Sequence, residues 1–202
     1  MDGAGPSPRV VPLTGAALRA ALDDLADLRI AVFRDWPYLY EGDRAYERDY
    51  LATYAESDRA LVVGAYAPGG RLIGAATAAP MADHAAEFAE PFRARGLDIS
   101  ALYYLGESVL LPEWRGRGIG HAFFDHREAA ARGHGFAVAC FCAVVRPEEH
   151  AMRPPGYRPL DPFWRRRGYV PAEGLVTGFE WADRGEGGAE IDHPMQFWTR
   201  RL

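Results

Sequence analysis

The sequence predicts an α/β (α+β) fold, a mixed sheet with helices packed on it. Three observations carry that reading. Helix-period and strand-period segments alternate in the order β-α-α-β-β-β-α-β-α-β-β, with no internal repeat. The 202 residues are 49% hydrophobic and 25% charged, enough for one domain with a sizeable core. A glycine-rich turn, "LPEWRGRGIGHAFF", joins an apolar strand to a helix near the middle of the chain.

The elements follow in order. Residues 1–8 read as a flexible tail, and residues 9–202 as a single domain. "RVVPL" is a short strand. "TGAALRAALDDLADLRIAVF" has helical periodicity, with Leu18, Leu22, Leu25 and Leu28 on one face. Pro37 and Gly42 interrupt at "RDWPYLYEGD", and "RAYERDYLATYAES" resumes as a helix. "RALVVGAYA" and "RLIGAATAA" are strands joined by Pro68-Gly69-Gly70. Residues 80–99 are an acidic, partly helical insert, and "ALYYLGESVLL" is read as one strand. Gly118 to Arg132 is a helix with Ile119, Ala122, Phe123, His126 and Ala130 on its apolar face, which makes His126 a core histidine. "FAVACFCAVV" is β-like, "RPEEHAMRPPGYRP" an irregular loop, and "LDPFWRRRGY" a short helix ending at Gly168. "GLVTGFEWA" and "HPMQFWTRRL" close the chain as strands around the turn "DRGEGGAE".

Composition excludes several classes. The net charge of −5 argues against a nucleic-acid partner. No apolar run approaches the ~20 residues of a membrane helix, and the start "MDGAGPSPR" lacks the build of a signal peptide, so a cytoplasmic protein is expected. Cys140 and Cys142 are too close for a disulfide framework and read as buried thiols. Aromatics in "MQFWTRRL" are read as exposed and as a candidate homodimer edge.

A strand, a glycine-rich turn and a helix start together present unpaired N–H groups and a positive dipole end, a general site for phosphates. A P-loop needs lysine, and all 23 basic residues here are arginine. The dinucleotide pattern GxGxxG, counted from Gly116, meets His121 where its last glycine belongs. Arg-x-x-Gly-x-Gly fits at Arg115, Gly118 and Gly120.

"ESVLLPEWRGRGIGHAFF" resembles the acetyl-CoA-binding motif of the GCN5-related N-acetyltransferases, and "FWRRRGYVP" resembles a later motif of that family. The resemblance implies a mostly antiparallel central sheet flanked by helices over residues 9–202. It implies acetyl-CoA as co-substrate, with its pyrophosphate on the turn Arg115, Gly116, Arg117, Gly118, Ile119, Gly120 and His121. It implies a pantetheine arm along Ser108, Val109 and Leu110, where the strand splays from its neighbour, with an N–H near Leu110 facing the thioester oxygen. No metal is expected.

Acyl transfer to an amine needs a base, a stabilised oxyanion and a protonated leaving group. Glu107, just before the pantetheine segment, is the candidate base. Relatives often carry a tyrosine after the phenylalanine of the second motif. Trp164 stands there, its indole is no useful acid, and it is assigned to the cofactor edge. Tyr157, where relatives often have asparagine, is the candidate substitute proton donor, with solvent as the alternative source. The segment between the first two helices lines the acceptor side in the family, which points to Asp35, Trp36, Tyr38 and Tyr40. Aromatic faces beside carboxylates suit a small cationic amine such as a polyamine or an aminoglycoside-like compound, with Asp83, Glu87 and Glu90 forming a lid of the same sign. His121 with Asp125 falls short of a zinc site, Arg165–Arg167 is read as a solvated run or a 3′-phosphate contact, and Cys142 lacks an activating neighbour. Two readings compete with the enzyme: a non-catalytic acyl-CoA-binding or regulatory module, and a peptide-binding domain.

Overall fold

The computed structural model describes residues 7–84, 86–185 and 189–202. Most of the expected tail, residues 1–6, lies outside them, as do residues 186–188 of the last turn. The strands are β1 Arg9–Leu13, β2 Leu61–Tyr66, β3 Leu72–Pro80, β4 Leu102–Tyr104, β5 Ser108–Leu110, β6 Val138–Val144, β7 Val170–Ala182 and β8 Glu190–Arg201. The helices are α1 Gly15–Phe33, α2 Arg44–Thr53, α3 Ala86–Arg93, α4 Ile119–Gly133 and α5 Asp161–Arg166.

One sheet runs β1-β2-β3-β4-β6-β8-β7, with β5 beside β3. Every pairing is antiparallel except β4 with β6. β3 is buried along its whole length because helices cover both faces of the sheet. On one face α1 and α2 seat Leu18, Leu22, Leu25 and Leu51 on Val62, Ala75 and Ala79, and α3 seats Ala89 and Phe92 near Tyr104, Cys142 and Phe197. On the other face Ile119 and Phe123 of α4 meet Val63, Ile73 and Ala76. Phe124 and Ala131 of α4 join Tyr103, Phe141 and Trp198 there, with Phe163 and Trp164 of α5.

Several expectations change. The predicted strand 101–111 is two strands, β4 and β5, parted at Leu105–Glu107. The buried stripe of α4 is Ile119, Phe123, Phe124, Arg127, Glu128 and Ala131, while His126 is only half-buried. Glu128 can sit inside because it accepts from Arg167 (3.1 Å), Tyr169 (3.1 Å) and Arg200 (2.8 Å). Arg167 is therefore a part-buried structural cation, joined also to Asp125 at 2.7 Å and His121 at 3.3 Å, rather than part of a solvated run. Phe197 and Trp198 are buried in β8, so the C-terminal aromatics offer no dimer edge. Both cysteines are free and buried, as expected. Among the described residues no helix is long and apolar enough to cross a membrane.

His84 sits against Tyr104, with ring centroids 4.7 Å apart, and near Tyr54 and Phe88. Burial pulls its pKa from 6.5 down to about 4, against the opposing pull of Glu107 and Asp83. The folded state thus favours neutral imidazole. That stabilisation is complete above the unfolded value and is lost as pH falls from about 6.5 towards about 4. His193, also lowered by burial, acts with the same sign. Urea unfolding midpoints should fall between pH 7 and pH 4.5, and His84→Gln should flatten part of that slope.

Candidate active site

The site begins where β4 and β5 part. β4 holds β6 through Tyr104 opposite Cys140, and the Leu105 N–H donates to the Cys140 carbonyl at 2.8 Å. From there the chain stays with β3. The Gly106 N–H donates to Thr77 (3.0 Å), the Thr77 N–H to Glu107 (3.1 Å) and the Leu111 N–H to Ile73 (3.0 Å). β6 continues to Val144 against β8. In this register Glu107, Val109 and Leu111 bond to β3, so the peptide N–H groups of Ser108 and Leu110 turn to an edge without a neighbouring strand. The open edge, or slot, thus runs along Ser108, Val109 and Leu110, with the Val109 side chain buried beneath it.

The turn that follows ends at the start of α4. Gly116 and Gly118 have φ of 75° and 82°, values that favour glycine. A side chain at either would meet no protein atom within 4 Å, so open space lies in front of both. Gly118 caps α4 without a side-chain bond, leaving the first-turn N–H groups at Ile119, Gly120 and His121 for an outside acceptor. The side chain of Ile119 is buried in the core. Arg115 donates to the Leu110 carbonyl at 3.3 Å, and Arg117 lies 4.8 Å from the Trp114 ring centroid. Ser7, Pro8 and Val10 of the N-terminal segment border the same turn around a hollow of about 400 Å³. No sequence signal marked that contact.

Glu107 stands where the slot meets a second cavity. Its carboxylate pairs with Arg29 of α1, and Arg29 also pairs with Glu47 of α2. Burial opposes the Arg29 charge, but Glu107, Tyr50 and Glu47 override it and hold the guanidinium above its ordinary value. The three groups keep one net negative charge. A closed ring of hydrogen bonds fixes Glu107 at both ends. Its N–H donates to Thr77 Oγ1 (3.3 Å), Thr77 to Tyr54 (3.2 Å), and Tyr50 to Glu107 Oε2 (3.2 Å). Each hydroxyl has one proton, so Tyr54 donates to Tyr50 at 2.9 Å and closes the ring. Burial, then the Glu107 charge, pushes both phenols far up, so they donate rather than ionise. Arg29, Glu47, Tyr50, Tyr54 and Thr77 were not singled out in the sequence. They come from three distant segments, and only the i, i+4 spacing of Tyr50 and Tyr54 was visible.

The cavity in front of Glu107 measures about 440 Å³. Tyr38, Tyr50, Phe88, Tyr104, Phe179 and Trp181 supply aromatic wall, and Glu41, Asp43, Glu47, Glu107, Glu180 and Glu190 supply carboxylates. Arg29 is the one cation among its lining residues. Tyr38 and Tyr40 of the predicted loop line it. The loop is tied down by Arg146, which donates to the Pro37 and Tyr38 carbonyls and forms a two-pronged pair with Asp183 at 2.7 Å.

Asp35 and Trp36 do not line the cavity. Asp35 is exposed, its carbonyl turned back onto Tyr38 and Leu39, while Trp36 packs on His150 and Tyr157. The expected acidic lid is also displaced. Asp83 binds Ser57, Glu87 and Glu90 point to solvent, and Phe88 is the α3 residue that reaches the cavity. Trp164 packs between Phe141 and Trp198, and Phe163 is the one that approaches Gly120. Cys142 lines the cavity as a thiol bonded to Tyr104 at 3.1 Å, and burial pushes it up to about 12. Among the described residues no cluster of three or more His, Cys, Asp or Glu is placed to hold a metal ion.

Residues 22–153 match the family model described as "Acetyltransferase (GNAT) family". Among curated proteins none matches. Solved structures of low identity share the fold. A GNAT superfamily phosphinothricin acetyltransferase from Sinorhizobium meliloti, in complex with AcCoA, is 18% identical with a TM-score of 0.60, over 96% of this chain and 88% of that one. A ribosomal-protein-alanine N-acetyltransferase from Brucella melitensis is 13% identical with a TM-score of 0.60, over 95% and 99%. A GCN5-related N-acetyltransferase from Kribbella flavida is 15% identical with a TM-score of 0.57, over 96% and 98%.

Gly106 carries a direct test of the ring. A Cβ there would stand 2.5 Å from Thr77 Oγ1 and 2.8 Å from the Tyr54 hydroxyl. Gly106→Ala must push both donors aside, and overpacking of this kind costs about 1–3 kcal/mol. Urea unfolding should show that loss, while Thr77→Val in the same background should recover little, because the ring is already open.

Proposed function

The chain belongs to the GNAT acetyltransferase family, and from that premise we propose that it transfers the acetyl group of acetyl-CoA to a small amine carrying further positive charge. One observation carries the reading: Glu107 lies at the junction of the free β5 edge and the acid-lined cavity. The cavity presents six carboxylates against one guanidinium, a formal charge of −5, which equals the net charge of the whole chain. The charges of all other residues thus sum to zero, and the net negative charge that attracts cations is accounted for by this cleft. The aromatic walls add cation–π contact.

In this reading the first-turn N–H groups of α4, with Gly116 and Gly118 in front, take the pyrophosphate. The outward N–H groups of Ser108 and Leu110 take the pantetheine arm and the thioester oxygen. An ammonium acceptor gives up two protons in becoming an amide. Glu107 receives the first, directly or through water, and the freed lone pair attacks the carbonyl carbon. The C–N bond forms, the C–S bond breaks, and the thiolate takes one proton. Tyr157 is the proposed donor of that proton. Its hydroxyl makes no hydrogen bond among the described residues, and burial, then Asp161, raises it. The second nitrogen proton restores Tyr157, and Glu107 releases the first to solvent.

Acetyl-CoA should raise the melting temperature of the protein by mass action. Glu107→Gln should keep that shift while lowering turnover of a cationic amine by ~10²–10⁴, the range for a lost general base. Unchanged turnover would remove Glu107 from the chemistry. Glu180→Gln, at the exposed rim, should raise KM for a cationic amine a few-fold and leave KM for acetyl-CoA unchanged. A panel in which neutral or anionic amines are preferred, with Glu180→Gln silent, would overturn selection by charge.

A further inference from the structure

Arg127 is a buried cation that no step above employs. Its side chain leaves α4 at 1% exposure and reaches the point where β4 and β5 part. Every hydrogen bond it makes is to a neutral oxygen: the carbonyls of Phe123 (3.1 Å), Thr77 (3.3 Å) and Glu107 (3.0 Å), and Ser108 Oγ (2.8 Å). Its sequence neighbour Glu128 is taken up by Arg167, Arg200 and Tyr169 instead. Burial pulls the guanidinium down to about 10, which leaves it charged at neutral pH. A buried charge without a paired carboxylate is expensive, and an apolar side chain would fill the same space more cheaply. The placement of the charge therefore calls for an explanation beyond packing.

The peptide between Glu107 and Ser108 supplies one. Its carbonyl accepts from both the Thr77 N–H (3.1 Å) and Arg127 Nη1 (3.0 Å). A trans peptide directs its N–H opposite to its C=O, so the Ser108 N–H of this doubly bonded unit is one of the two that face the open slot. Loading a carbonyl with a charged donor withdraws electrons and strengthens the N–H of the same peptide as a donor. Ser108 Oγ accepts from Arg127 Nη2, which turns the hydroxyl proton away from α4.

We propose that Arg127 is a positioning residue for acetyl transfer: it polarises the Glu107–Ser108 peptide so that the Ser108 N–H binds the thioester oxygen as negative charge develops. The proposal rests on the reading of β5 as the acetyl-CoA strand. It assigns the oxyanion contact to Ser108 in place of the N–H near Leu110, whose own peptide has no such cation behind it.

The test reads the thioester carbonyl itself. Acetyl-CoA labelled with ¹³C at the acetyl carbonyl is bound without amine, and its stretch is followed by isotope-difference infrared spectroscopy. In the wild type the band should move to lower frequency than in water. Arg127→Met should remove most of the shift and lower kcat by about tenfold, less than the ~10²–10³ of a donor lost outright because the Ser108 N–H itself remains, while the dissociation constant for acetyl-CoA changes less than about threefold. Arg127→Lys retains a charge that can reach the Glu107 carbonyl and should recover most of the shift and of kcat. If Arg127→Met does not fold, Ser108→Ala carries the test: it keeps the Ser108 N–H but removes the acceptor of Arg127 Nη2, so the band should move part of the way back, and adding Arg127→Lys should be less than additive. A wild-type band at its aqueous frequency, or variants that lower the melting temperature but leave the band and kcat in place, would overturn the proposal and leave the transferase reading standing. Absence of acetyl-CoA binding to the wild type would overturn both.

Discussion

The Arg29 guanidinium, shared by Glu47 and Glu107, is the interaction around which the cleft is organised. It joins α1, α2 and the strand junction in one buried cluster. Two carboxylates this close would repel each other and resist burial if Arg29 were absent. With it, both are fixed by ion pairs, and the cluster carries one formal negative charge. That surplus faces a cavity whose other charges have the same sign. The hydrogen-bond ring through Thr77, Tyr54 and Tyr50 then sets the orientation of Glu107 from its own main chain outwards.

The strand break depends on a different device. β3 is long enough to serve two short strands, β4 near its end and β5 further back. β6 follows only the first of these. The gap that results is lined with peptide groups rather than side chains, which suits a long, flexible, polar-amide arm. Gly106 sits at the hinge because the Thr77 and Tyr54 hydroxyls occupy the volume a side chain would need.

Sequence reasoning read the scaffold well because each element carries a local signal. The leucines of α1 repeat with helical period, and Pro68-Gly69-Gly70 marks a hairpin. The glycine turn was legible for the same reason: positive φ at Gly116 and Gly118 leaves a chemical trace in the residue type. Polar residues inside the fold were not legible. Arg127 and Glu128 lie outside the apolar face that the sequence predicts for α4, and only Thr77, Glu107, Arg167 and Arg200, from distant segments, supply their partners. Asp35 and Trp36 belong to the expected loop, but Arg146 and Asp183, over a hundred residues away, fix which of its side chains turn inward. A long-range ion pair of that kind has no signature in local pattern.

The protein has no lysine, so apart from its six histidines every basic side chain is a guanidinium. An ammonium side chain loses its proton in mildly alkaline solution and becomes a nucleophile of the same kind as the acceptor amine. A guanidinium keeps its proton there and offers no lone pair. A catalyst that handles an activated acetyl group therefore carries no side-chain amine that could intercept it. The Arg29 and Arg167 guanidinium groups, both held above the ordinary value by their carboxylate partners, also keep their charge at alkaline pH, where free amines are most abundant. The chemistry that makes acceptors reactive leaves these two clusters untouched.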